Sequence, residues 1–150
     1  MTTPVPRTRI AAYGLAASED KVLLARASDR SALPGTWWLP GGGGEFGEPP
    51  ADAVVREFVE ETGLMVRVVQ LLGVLSDVAD RPDINERMHT VRIIYAVEVT
   101  AGELTPEVAG TTDAVAWVAR SEAEELPLMS FFRPYVSAVT RSRSKSSPGS

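Results

Sequence analysis

The chain contains no cysteine in its 150 residues. This absence excludes disulfides, zinc–thiolate sites and cysteine nucleophiles, and it is compatible with the cytoplasm, which we expect to be the compartment. No apolar run approaches the roughly 20 residues that a membrane span needs, so no membrane partner is expected. The first nine residues contain prolines and arginines but no apolar stretch, so we expect no secretory signal.

Positive charge is also scarce. The net charge is −5, and the last ten residues alone carry three of the 15 lysines and arginines. A surface that binds a nucleic acid polymer would be basic, so we expect no such partner. An acidic protein can hold an anionic polyphosphate only if metal ions bridge the two.

The composition is that of one soluble domain, with 44% hydrophobic and 23% charged residues. We predict a single domain over residues 1–140 and a polar, disordered tail over residues 141–150. At this length roughly 70% of the surface of the unfolded chain can be buried without a disulfide or a structural metal.

Apolar patterning predicts a mixed α/β sandwich with a central sheet. Pro49 and Pro50 suit the first turn of a helix and Gly63 suits its end, with Ala51, Val54, Val55 and Phe58 on the apolar side. The glycine-rich segment that precedes this helix is predicted to be a loop. Residues 9–17 and 21–27 are predicted to form a hairpin. Further strands are predicted at residues 37–39, 66–75, 90–100 and 114–119, and short helices at residues 122–125 and 130–140.

Three glutamates, Glu57, Glu60 and Glu61, fall at i, i+3 and i+4 on the central helix and share one face. Like charges at these spacings destabilise a helix by a few tenths of a kcal/mol per pair. A hard divalent cation such as Mg²⁺ would offset this repulsion, because it favours carboxylate oxygens. A solvated acidic face is the competing interpretation.

The spacing around these glutamates is specific. Gly42, five residues, Glu48, seven residues and then the run REFVEETGL from Arg56 to Leu64 resemble a complete Nudix box, and the preceding GTWWLPGG resembles the strand and loop that lead into it. The resemblance implies an α/β/α sandwich with a mixed central sheet, the box helix packed on it and a C-terminal helix. It also implies metal-dependent hydrolysis of a phosphoanhydride bond in a nucleoside diphosphate linked to another moiety.

The resemblance assigns roles residue by residue. Glu57, Glu60 and Glu61 would bind Mg²⁺, or Mn²⁺, together with a main-chain carbonyl of Gly41 or Gly42. Glu48 would support the metal site, and Arg56 would hold the carboxylates in place. Glu57 or Glu61 is our prediction for the catalytic base; the candidates outside the box are Glu98, Glu107 and Asp113.

The expected ligand is a small nucleotide. Arg26 and Arg30 are candidates for phosphate contacts, Trp37 for stacking on a base, and the backbone of Gly41 and Gly43 for close approach to phosphate. A surface role for the arginines and a packing role for Trp37 stay open, as does a homodimer.

Several alternatives remain within the fold. The substrate could be a nucleoside triphosphate, ADP-ribose or a nucleotide sugar, and a Nudix domain could bind such a ligand without turnover. An isopentenyl diphosphate isomerase and the zinc-containing dinucleotide hydrolases are disfavoured, because both resemblances would call for cysteines.

Overall fold

The computed structural model describes residues 2–29, 31, 33–105 and 112–138, without the side chains of residues 112 and 113. The predicted tail, Arg30 and Glu107 therefore lie outside the described residues, as does the side chain of Asp113. In chain order the elements are β1 (Val5–Ala16), β2 (Lys21–Ala27), β3 (Trp37–Trp38), β4 (Gly41–Gly43), α1 (Pro50–Thr62), β5 (Leu64–Arg81), a 3₁₀ turn (Pro82–Ile84), β6 (Glu86–Gly102), β7 (Thr112–Ala119) and α2 (Arg120–Ala123). A last helix covers residues 133–138.

The strands form two sheets. The first has the order β4-β1-β6-β5, and the second has the order β3-β2-β7. Strand β1 runs parallel to β6 and antiparallel to β4, so the first sheet is mixed. This arrangement confirms the predicted mixed α/β class, although the strands divide between two sheets.

The predicted hairpin of residues 9–17 and 21–27 is wrong. In the described residues the two segments pair only at the bridge Ala17↔Val22 and through the Ser18 N–H, which donates to the Lys21 carbonyl at 2.9 Å. Beyond that turn, β1 and β2 enter different sheets. The reason is that β1 is buried on both faces from Ala11 to Ala16 and has a strand on each side, β4 and β6.

The glycine-rich segment, predicted as a loop, contains strand β4. The register pairs Ala12 with Gly42 and Tyr13 with Gly41. We call Gly41–Gly43 the glycine strand. It is an edge strand of the first sheet, and it runs beside α1.

Helix α1 begins and ends where the prolines and Gly63 predict. Gly63 adopts a left-handed conformation with φ 78°, and its N–H donates to the Val59 carbonyl. Of the predicted apolar residues, Val54 and Phe58 are fully buried. Val55 is half-buried and packs against the same core, as predicted. The prediction missed Ala53, which is buried, while Ala51 is only half-buried.

Packing fixes α1 on the first sheet. Phe58 lies over Gly14 of β1, where an added Cβ would be 2.6 Å from its ring. Ala12, Ala16 and Val97 complete this contact from the sheet. Burial of a side chain such as Phe58 contributes roughly 1.5–3 kcal/mol, so the helix is held in one position relative to the glycine strand.

Strands β5 and β6 form a hairpin that is longer than the predicted strands at residues 66–75 and 90–100. Irregular register at three places in β5 lets the pairing continue from Leu64 to Arg81. The opposite face of the first sheet packs on a second core, which includes Tyr13, Leu24 and Phe132. Of the terminal helix predicted at residues 130–140, the described part is helical from residue 133. No helix in the described ranges is long and apolar enough to cross a membrane.

Candidate active site

The box glutamates all lie on α1, but they face different surroundings. Glu61 is only 4% exposed, and its Oε2 accepts a hydrogen bond of 2.7 Å from the N–H of Gly41. Glu57 is largely buried against Gly42, where an ideal Cβ would lie 2.8 Å from its Oε2. Glu60 is half exposed, with 52% of its side chain accessible. Two of the three carboxylates therefore converge on neighbouring residues of the glycine strand.

Arg56 connects the remaining parts of the site. Its Nε and one terminal nitrogen each donate to Glu48 at 2.9 Å, in a bidentate pair. The other terminal nitrogen lies 3.2 Å from both Glu57 and Glu60. Arg56 also donates to the carbonyl of Gly43 at 3.1 Å. A single guanidinium thus fixes three carboxylates and the glycine strand relative to one another.

The ion pair between Arg56 and Glu48 shifts the pKa of both groups. Hydrogen bonds from Arg56, and then from the backbone N–H of Glu45, lower the pKa of Glu48 from 4.5 to about 2. The hydrogen bond to Glu48 is also the main reason that the pKa of Arg56 is raised. Both groups stay charged over the whole physiological range.

The glycines are required by close contacts. At Gly41 an added Cβ would lie 2.2 Å from the carbonyl oxygen of Ala12, and φ is 149°. At Gly42 it would meet the carboxylate of Glu57. The absence of side chains is what allows α1 and β1 to approach the glycine strand from two sides.

The hydrogen-bond pattern of the glycine strand determines which groups point outward. Residues of an antiparallel strand alternate between those bonded to the partner strand and those directed away from it. The N–H of Gly44 donates to the Ile10 carbonyl at 2.8 Å, and Gly42 faces Ala12. Gly42 therefore directs its N–H and C=O toward β1.

Gly41 and Gly43 consequently face the free edge of the sheet. The hydrogen bond from Gly41 to Glu61 and the one from Arg56 to Gly43 both lie on this edge. The outward groups left over are the C=O of Gly41 and the N–H of Gly43. The register thus favours Gly41 over Gly42 as the main-chain metal ligand.

The site supplies hard oxygen donors. Among the residues that the structure describes, no three side chains of His, Cys, Asp or Glu are arranged to hold one metal ion. Glu57 and Glu61 contact the glycine strand while Glu60 is turned outward, and the metal roles of the three glutamates stay a prediction. The donors that fit a divalent cation are the carboxylates of Glu57 and Glu61 and the carbonyl of Gly41, all at the glycine strand.

Other candidates lie apart from this group. The Arg26 guanidinium is 5.8 Å from the centre of the Trp37 ring, on paired strands of the second sheet. The backbone N–H of Trp37 donates to the Pro127 carbonyl at 2.9 Å. Glu98 forms an exposed ion pair with Arg67.

Sequence reasoning did not single out Arg9, Tyr13 or Arg92. These residues lie on the face of the first sheet opposite α1: Arg9 covers Gly43, and Tyr13 covers Gly41. Burial raises the pKa of Tyr13, while Arg9 and Arg92 lower it and Glu61 raises it. The signal that could have revealed them is the antiparallel register of β1 with the glycine strand.

Comparison with known proteins identifies the family. The model of the NUDIX domain matches residues 5–139. An ADP-ribose pyrophosphatase from Methanocaldococcus jannaschii is 40% identical over 95 residues, which cover 63% of this chain and 53% of that protein. A MutT-like protein from Streptomyces ambofaciens is 32% identical over 123 residues, with coverage of 82% and 71%. The match thus spans about half the length of the first relative.

Solved structures agree with the sequence matches. A MutT NUDIX hydrolase from Burkholderia pseudomallei has a TM-score of 0.72 at 26% identity, covering 89% of this chain and 98% of that one. A MutT protein from Methanosarcina mazei shares the fold with a TM-score of 0.70, at 24% identity and with coverage of 94% and 98%. The matched residues, 5–139, include the box helix α1 and the glycine strand. The chain belongs to the NUDIX family.

Proposed function

We propose that this chain hydrolyses a phosphoanhydride bond in a nucleoside diphosphate linked to another moiety, with Mg²⁺ or Mn²⁺ as cofactor. The observation that carries the proposal is the convergence of Glu57 and Glu61 on the glycine strand, with Arg56 fixing the surrounding carboxylates. Nudix proteins generally use divalent metal ions. When bound, such an ion activates water and neutralises charge on the leaving phosphate.

Each residue has a role in this scheme. Glu57, Glu61 and the Gly41 carbonyl would hold the ion, while Glu60 lies further out. Arg56 and Glu48 keep the carboxylates in position. A water oxygen bonds to phosphorus as the bridging P–O bond breaks, and the carboxylate of Glu57 or Glu61 accepts the water proton. The leaving phosphate carries away the electron pair of the broken bond.

Two substrate classes fit this scheme. The name of one relative favours ADP-ribose. The other class is the nucleoside triphosphates. Both contain the same anhydride, so the carboxylates do not distinguish them. A screen of nucleoside triphosphates, ADP-ribose, dinucleoside polyphosphates and nucleotide sugars, with release of phosphate and nucleoside monophosphate followed over time, identifies the class.

The decisive variant is Glu61→Gln. The amide keeps the size of the side chain but removes its charge, and we expect turnover to fall by about 10²–10⁴-fold, the range for loss of a general base or its equivalent. Glu98→Gln tests the candidate base outside the box. Because Glu98 pairs with Arg67 on the surface, we expect this variant to retain activity, and a comparable loss would move the base to Glu98.

The proposal fails in three ways. Near-full activity of Glu61→Gln would reject the site, and undiminished activity in EDTA would reject metal-assisted hydrolysis. Binding of a nucleotide without turnover across the screen would leave the alternative of a ligand-binding domain.

A further inference from the structure

Arg9 covers the glycine strand on the face of the first sheet opposite α1. A terminal nitrogen of its guanidinium lies 3.2 Å from the position that a Cβ of Gly43 would occupy. Any side chain at residue 43 would press on the guanidinium, so glycine lets Arg9 lie flat on the strand. This contact places a positive charge one residue from Gly42, against which Glu57 packs on the other face.

The backbone beside Arg9 offers a hydrogen-bond donor. Because Gly43 faces the free edge, its N–H points away from β1, while its carbonyl accepts from Arg56. A guanidinium and a backbone N–H at one position are the two kinds of donor that proteins commonly use for phosphoryl oxygens. Both donors lie at Gly43, the guanidinium over the face of the strand and the N–H at its free edge.

Arg9 makes no ion pair within the described part of the chain, whereas Arg7, two residues earlier on the same face, pairs with Glu86. Arg92, on the same face of the sheet, is held by Asp77 and lies 4.0 Å from the centre of the Phe131 ring. In a chain of net charge −5, an arginine without a carboxylate partner beside a carboxylate site is available for an anionic ligand.

Arg9 also borders a cavity that lies on the α1 side of β1. This cavity of about 320 Å³ is lined by the segment from Gly44 to Glu48, by Pro50 and Ala53 of α1, and by β1 residues that include Arg9 and Ala12. Its two carboxylates face Arg56: Glu48 is paired with it, and Glu45 lies 3.9 Å from it. Arg9 is the only cation among the residues that line this cavity.

We propose that Arg9 and the N–H of Gly43 bind a phosphoryl group of the substrate, next to the phosphorus that is attacked. The inference rests on the proposed function and adds a second contact to the same substrate. The diphosphate would be bound from both faces of the glycine strand. The carboxylates hold it from the α1 face through the metal ion, and Arg9 holds it directly from the opposite face.

The test is calorimetric titration with imidodiphosphate, a diphosphate analogue with no hydrolysable anhydride oxygen, in buffer containing Mg²⁺. We expect Arg9→Ala to weaken binding by roughly tenfold, in line with the loss of one charge-assisted hydrogen bond. Arg9→Lys should retain part of the affinity, since it keeps the charge. Arg7→Ala is the matched control and should bind like the unsubstituted chain.

Three outcomes would overturn the inference: undiminished affinity of Arg9→Ala, an equal loss of affinity in Arg9→Ala and Arg7→Ala, or no binding of imidodiphosphate to the unsubstituted chain. Thermal melts of both variants check that the fold is kept. If no nucleotide is hydrolysed while Arg9→Ala alone loses the analogue, the proposed function fails and the anion site stands. If nucleotides are hydrolysed while Arg9→Ala binds the analogue fully, the anion site fails and the proposed function stands.

Discussion

Neighbouring glycines at residues 41, 42 and 44 serve different purposes, and alanine substitutions separate them. A Cβ at Gly42 would meet only the movable end of Glu57, 2.8 Å away. We expect Gly42→Ala to keep the fold but to reduce kcat by at least roughly tenfold, because it displaces a carboxylate by a few tenths of an ångström. Thermal melts and kinetics with the substrate found by the screen measure the two effects.

Two more variants make this comparison sharp. Gly41→Ala should fail to fold, because the added Cβ would lie 2.2 Å from the backbone oxygen of Ala12. Gly44→Ala should change neither property, since its nearest neighbour would be 3.6 Å away. Equal activity of the Gly42 and Gly44 variants would contradict the assigned role of Glu57.

Glu48 gives the site a defined pH dependence. Its pKa is lowered from 4.5 to about 2 by Arg56, so its contribution to stability is fully present above about pH 4.5 and is lost as the pH falls toward 2. We expect Glu48→Gln to be less stable than the unsubstituted chain at pH 6, with the difference shrinking between pH 4.5 and 2. Urea unfolding in EDTA at several pH values measures it, and a constant difference would refute the pairing.

Gly63 ends helix α1, and an alanine substitution at Gly35, which has a similar φ, is the control for one at Gly63. Gly63 and Gly35 have φ of 78° and 80°, but an added Cβ would be 2.5 Å from the Glu103 carbonyl oxygen at Gly63 and would touch nothing within 4 Å at Gly35. Both alanine variants carry the cost of the left-handed conformation, about 1–2 kcal/mol. We therefore expect Gly63→Ala to be the less stable in urea unfolding. Equal losses would mean that the end of α1 can shift freely.

Among the secondary-structure elements, the sequence predicted α1 but not the partner of β1. Helix α1 and its limits were predictable because prolines, apolar spacing and Gly63 are local signals. The partner of β1 was not, since its parallel neighbour β6 begins some 70 residues after β1 ends. The same limit applies to the site: spacing put the three glutamates on one helix, but only packing decides that Glu61 is buried against Gly41 while Glu60 faces outward.

At the scale of the whole molecule, the candidate site lies where α1 packs beside the edge of the first sheet and where the carboxylates of the box are concentrated. The glycine strand is shared by α1 on one face and by Arg9 and Tyr13 on the other. Both cores reach the neighbouring strand β1, since Ala12 belongs to one and Ala11 to the other, and these residues pair with Gly42 and Gly43. A substitution in either core can therefore shift the carboxylates of Glu57 and Glu61, even when the substituted residue touches no ligand.

Metal binding should consequently stabilise the entire fold. A ligand that binds only the folded state adds RT ln(1 + [L]/Kd), about 2.7 kcal/mol at a concentration of 100 Kd. We expect MgCl₂ to raise the Tm of the unsubstituted chain above its value in NaCl of equal ionic strength, so that screening of the net charge of −5 is matched. Glu61→Gln should lose most of this difference, because it removes a buried ligand, whereas Glu98→Gln should keep it. The same Mg²⁺-specific rise in both variants would place the ion elsewhere and would remove Glu61 from the metal site.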